Sequence, residues 1–166
     1  MKFTSLQKKI LTLGTAVFVS SCTTSNSKKV PTMDEISSTK HLSIAVDQSS
    51  EDVYSYVSNP ENFPKWLAFA TSISKKSDLV WVAQTNLGTI EIEMIPKNEF
   101  GIVDHKVKLP DGNVLYNPLR VIKNGNGSEV VFTLFRDPNK TEEEFENDAQ
   151  LVKADLKTLK RILEKQ

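Results

Sequence analysis

The sequence predicts an α+β domain: an antiparallel sheet of about seven strands, two short helices after the first strand, and a long C-terminal helix. Three observations carry this. The middle of the chain alternates apolar and polar residues in short runs bounded by Asn, Asp and Gly, which is the period of half-buried strands. The connections between those runs are too short for parallel crossovers and impose antiparallel pairing. The last segment instead repeats its apolar residues at helical spacing.

Leu42, Ile44 and Val46 alternate with Ser43 and Ala45 and predict the first strand. Ser49 follows as an N-cap, with Glu51 and Asp52 in a first helical turn where carboxylates suit the dipole and Asp52 can close a capping box. Val53, Tyr54, Tyr56 and Val57 give that short helix its apolar side, and Asn59-Pro60 ends it. A second helical turn over residues 61–66 is expected to be broken by Pro64. Six strands are then predicted at residues 71–75, 79–85, 89–96, 102–109, 114–123 and 130–136. Their separators are Asn86-Leu87-Gly88, Asp111-Gly112 and Asn124-Gly125-Asn126-Gly127. Pro118 marks a bulge or edge position inside the fifth of them and leaves its facing undecided. Thr141 and Glu144 form a T-x-x-E capping box, after which Phe145, Ala149, Val152, Leu156, Leu159 and Leu163 follow at steps of 4, 3, 4, 3 and 4. This stripe, opposed by a charged face, covers the sheet.

Upstream of the domain the chain reads as an export signal and a tether. Lys2, Lys8 and Lys9 precede an uncharged apolar run of ten residues, 10–19. A spanning helix needs about 20 apolar residues, so this run suits a signal-peptide core. Val19-Ser20-Ser21-Cys22 resembles the bacterial lipobox, in which an aliphatic residue and two small residues precede a cysteine that is acylated and becomes the new N-terminus. The resemblance implies several acyl chains on Cys22, enough for stable anchoring. Thr23 is not aspartate, so the inner-membrane retention signal is absent and the periplasmic face of an outer membrane is favoured in a host with two membranes. Residues 23–40 are rich in Ser, Thr and Lys without apolar periodicity and form a disordered tether of roughly 25 Å average span. The expected organisation is thus signal peptide 1–21, lipidated Cys22 and tether 22–40, and one domain over 41–166.

Composition excludes several functions. Cys22 is the single cysteine, so once it is acylated no disulfide, thiolate metal site or cysteine nucleophile remains. Of 21 basic residues three lie in the leader, leaving 18 against 21 acidic ones and a mature charge of −3. No basic block interleaved with aromatics suggests nucleic-acid binding. His41 and His105 with scattered carboxylates give no metal-ligand spacing, and no serine lies in a G-x-S-x-G setting. No cofactor is expected.

The element order resembles the START-like, or helix-grip, superfamily, which includes polyketide cyclases, pollen-allergen-type proteins and lipid-transfer domains. The local likeness runs from Ile44 to Tyr54 (IAVDQSSEDVY) and from Asn59 to Trp66 (NPENFPKW), with Ser50 where such proteins often carry Pro. Gly127-Ser128-Glu129-Val130 is similar to the "G-G-T/S-x-V" lead into the last strand. The likeness spans about residues 41–166. It implies a curved sheet wrapped around the C-terminal helix with an apolar cavity between them.

Strand parity assigns the lining of that cavity. Ile90, Ile92 and Met94 share one face, as do Val103, His105 and Val107, while Asp104, Lys106 and Lys108 face solvent. The helix adds Phe145, Ala149, Val152 and Leu156, and Trp66 and Phe69 close the mouth. His105, the only histidine within the meander, is the one candidate for general acid/base chemistry in a cyclase- or dehydratase-type enzyme, with Tyr116, Asn117 and Arg120 as possible partners. The favoured reading of this lone histidine is nonetheless a satisfied core or rim residue. Asp104 and Asp111 read as solvent and turn residues. The function implied by the resemblance is a membrane-anchored module that binds a lipid or other apolar small molecule. The alternatives are the His105 enzyme and an interaction protein with a collapsed cavity.

Overall fold

A computed structural model describes residues 36–86 and 88–165. These all belong to one compact unit, residues 33–166. The expected signal peptide, Cys22 and most of the tether lie outside the described residues, as does Leu87 in its turn.

β1 (Thr39–Val46) opens the domain. It starts inside the expected tether because Lys40 is held there. Its ammonium lies 2.5 Å from Glu146 and 4.6 Å from the centre of the Phe145 ring, both on the C-terminal helix. α1 (Ser50–Val57) follows, with the Ser49 hydroxyl accepting the Asp52 amide. The Asp52 carboxylate accepts a hydrogen bond from the Ser49 hydroxyl rather than from its amide, a variant of the expected box. Val53 and Val57 are fully buried. A 3-10 turn (Pro60–Asn62) leads into α2 (Phe63–Trp66). Pro64 does not break this turn as expected. It sits in the first turn of α2, where no backbone donor is required.

Among the described residues there are eight strands, one more than expected, in a three-stranded and a five-stranded sheet. They are β2 (Ala70–Lys75), β3 (Val80–Thr85), β4 (Gly88–Met94), β5 (His105–Lys108), β6 (Val114–Asn117), β7 (Leu119–Asn124) and β8 (Gly127–Phe135), beside β1. The extra strand arises because Pro118 divides the 114–123 run. Before it, β6 pairs with β5, in the order β2-β3-β4-β5-β6; after it, β7 pairs with β8, in the order β1-β8-β7. Every named pairing is antiparallel. Proline cannot donate to a ladder, so the chain turns here from one set of partners to the other.

The expected 102–109 strand is likewise shorter. Residues 101–104 are drawn instead onto β7, with Val121 N–H donating to Gly101 and Val103 N–H donating to Leu119, both at 2.8 Å. Gly101 has φ +69°, and a Cβ there would collide with the Val121 carbonyl, so this approach admits only glycine.

α3 (Glu142–Leu163) carries the full capping box between Thr141 and Glu144. It buries Phe145, Ala149, Leu156, Leu159 and Leu163, with Val152 half-buried. Thr141→Ala is expected to lower stability by about 1 kcal/mol, read from urea unfolding. An unmoved midpoint would show that the box adds nothing to the packed helix. No described helix is long and apolar enough to cross a membrane.

Candidate functional site

The Pro118 corner is built around a buried carboxylate. Asp104 is 4% exposed, which corrects its expected place in solvent. One oxygen accepts the Leu119 amide at 3.0 Å and pairs with the Arg120 guanidinium; the other accepts the Tyr116 hydroxyl at 2.5 Å. Strict alternation fails here because Asp104 precedes the regular strand and faces the bend, where Leu119 N–H has no ladder partner. Tyr116 and Arg120, considered above as partners for His105, both serve Asp104.

Asn117 is the partner that His105 does have. His105 sits opposite it in the β5–β6 register and is 8% exposed. Its Nδ1 lies 3.1 Å from the Val103 carbonyl, and its Nε2 lies 3.3 Å from the Asn117 amide nitrogen. A carbonyl only accepts, so Nδ1 carries the proton; the neutral ring then accepts at Nε2 and fixes the orientation of the amide. Both ring nitrogens are engaged, an arrangement suited to holding Asn117 in place. The Phe63 ring lies 5.9 Å from the imidazole and 5.8 Å, edge-on, from the Trp66 indole.

Burial holds the His105 pKa below its ordinary 6.5, and the hydrogen bond to Val103 opposes this only in part. The folded protein thus takes up the proton less readily than the unfolded chain. The stability this neutral ring contributes is complete above pH 6.5 and is lost as pH falls from there to the folded-state pKa. Between about pH 7 and about pH 5.5 the urea midpoint is expected to fall more for the parent protein than for His105→Gln. Parallel profiles would place the pH dependence elsewhere.

Beside this pair the sheet is open. The β7–β8 pairing ends at Leu119 opposite Phe132, with one further bond from Thr133 N–H to the Pro118 carbonyl at 3.0 Å. Beyond that point β8 continues against β1, and β6 continues against β5. The two inner edges diverge around a groove of about 480 Å³ lined by Leu109, residues 113–117, residues 134–140 and Asp148. Val114 and Tyr116 from one face of β6 line it together with Leu115 and Asn117 from the other. That is the signature of a gap between strands rather than of a hollow on one face. A second, polar groove of about 390 Å³ lies over α1, lined by Gln48, Asp52, Ser55, Tyr56, Asn59, Asn62 and Leu163.

The residues assigned to the cavity by parity are mostly brought together. Trp66, Ile90, Ile92, Met94, Val103, Val107, Ala149 and Leu156 belong to one contiguous core cluster, with Val152 packed against it. Phe145 is buried beneath Lys40 outside that cluster. Trp66 is 6% exposed and lies in the core rather than at a mouth. Phe69 is 40% exposed, on a segment tied to α3 by the Ala68 amide donating to Asp155 at 3.0 Å. The groove itself was missed from sequence, although Pro118 was its signal. Among the described residues no cluster of three or more His, Cys, Asp or Glu side chains could hold a metal ion.

No family model and no curated protein matches the sequence. Solved structures do. A START superfamily protein from Mycobacterium smegmatis superposes with a TM-score of 0.61 at 10% identity, covering 76% of this chain and 97% of the other. The Aha1 protein of Colwellia psychrerythraea gives 0.60 at 16%, covering 76% and 96%. Ara h 8.0201 gives 0.60 at 13%, covering 78% and 99%. With its curved antiparallel sheet, paired short helices and long closing helix, the described part of this chain has the START-like, helix-grip fold.

Proposed function

We propose that this protein is an envelope-anchored lipoprotein whose START-like domain holds a lipid or other apolar small molecule. The observation that carries the binding reading is the parting of β6 and β8. It brings solvent against Leu109, Leu115 and Leu134 and places the oriented amide of Asn117 among them. Binding sites for small apolar ligands combine such an apolar lining with a few fixed polar groups. The engaged state of both His105 nitrogens favours a holding role over proton transfer.

The anchor rests on the sequence Val19-Ser20-Ser21-Cys22 and on the tether that follows. Residues 33–166 contain their own core, so the unit handled in solution can be separated from its membrane attachment. A ligand that binds only the folded state raises unfolding free energy by about 2.7 kcal/mol at a hundred times its Kd. Saturating additions from a panel of membrane lipids and fatty acids are therefore expected to raise the thermal midpoint of residues 33–166 for at least one class. No shift with any of them would count against lipid as the ligand. For the anchor, Cys22→Ser is expected to abolish metabolic acyl labelling and release the protein from membranes; labelling that persists would remove Cys22 as the site.

A further inference from the structure

The chemistry of the groove narrows what enters it. His105 occupies one N–H of the Asn117 amide; the other N–H and the carbonyl oxygen have no protein partner among the described residues. In the core behind His105, outside the groove lining, the Trp66 indole N–H is also buried and unpartnered, with the Phe63 ring between the two. Unsatisfied buried donors are costly and invite an acceptor. The cations around the rim, by contrast, are already neutralised. Arg136 pairs with Glu142 at 3.3 Å, and Lys140 pairs with Asp148 at 2.5 Å. Among the described residues that line the groove no unpaired cation remains to offset an anionic head, whose desolvation would be expensive.

We propose that the gap between β6 and β8 is the ligand entrance, and that Asn117, held by His105, selects an apolar molecule bearing a neutral acceptor such as a ketone, ester or amide carbonyl. This rests on the ligand-holding reading above and gives it a route and a head-group preference. Pro118 is what keeps the entrance from closing. A strand residue with an amide proton at that position would let the β7–β8 ladder run on into β6, whereas proline ends the pairing at the edge of the groove that Leu115 and Leu134 line.

Two fluorescent probes of similar size separate the elements of this proposal when added to residues 33–166. Prodan is a naphthyl ketone; N-phenylnaphthylamine lacks the carbonyl. Asn117→Leu is expected to weaken prodan by roughly 3- to 10-fold, the effect of one hydrogen bond, while leaving N-phenylnaphthylamine within about twofold. Leu115→Trp, at a half-exposed position on the lip, is expected to slow association of both probes by at least about tenfold, more than it changes either Kd. Equal losses for the two probes with Asn117→Leu would overturn the head-group preference, and an unaltered association rate with Leu115→Trp would overturn the entrance. Should Asn117→Leu unfold, Asn117→Ala serves instead: it removes the donor without adding bulk or charge beside His105, and it should still discriminate between the probes. If neither probe binds the parent protein at any concentration, the ligand-holding reading itself fails and the entrance with it. Binding without discrimination removes only the present inference.

Discussion

Asp104→Ala should cost about 3 kcal/mol of stability, among the largest effects of any single truncation in the domain. The substitution leaves the Arg120 guanidinium without its carboxylate, the Tyr116 hydroxyl without its acceptor, and the Leu119 amide unpaired next to a proline that cannot help. Breaking a buried pair by removing one partner typically costs about 3–5 kcal/mol. Arg120 is about one-third exposed and can recover some hydration, which places the expectation at the lower end. Arg120→Ala should therefore cost less, about 1 kcal/mol, because Asp104 keeps its two other donors. Urea unfolding of the three proteins checks the order. A loss below about 1 kcal/mol for Asp104→Ala would mean that the corner is held by β-pairing alone.

Phe63→Ala should cost about 3–5 kcal/mol, the range for deleting a fully buried aromatic ring. Phe63 is 1% exposed and stands between Trp66 and His105. Its removal opens space in the middle of the core and takes away one wall of the imidazole. The same variant should then raise the His105 pKa back toward 6.5, because water reaching the ring weakens the desolvation that depresses it. Chemical denaturation measures the first effect and an NMR titration of the imidazole the second. Unchanged stability would show that the core refills without cost, and an unchanged titration would show that Phe63 does not shield the ring.

The parts of this fold that sequence conveys are those set by local rules. Thr141 and Glu144 specify the start of α3 by themselves, and the stripe from Phe145 to Leu163 declares its buried face. Ser49 and Asn59-Pro60 do the same for α1. Ile90, Ile92 and Met94 are all buried, as alternation requires of a strand covered on one side. What sequence leaves hidden depends on distant partners. Asp104 reads as an outward residue between Val103 and His105, and only the return of Leu119, Arg120 and Tyr116 makes its burial tolerable. Pro118 announces that a strand is interrupted, but not that the halves go to different partners or that β6 and β8 separate beyond it. Asn117 is one of three partners that sequence offers His105; that it alone meets the ring follows from the register that puts it opposite.

The central claim is that the domain holds an apolar small molecule reached through the parted strands. Native mass spectrometry of residues 33–166, purified without detergent and then extracted with organic solvent, tests it most directly. The expected result is a discrete mass adduct at one molecule per chain, released into the solvent as a lipid or other apolar compound and restored when the extract is added back. Protein that runs at its bare mass, and stays there after incubation with a total lipid extract, would contradict it.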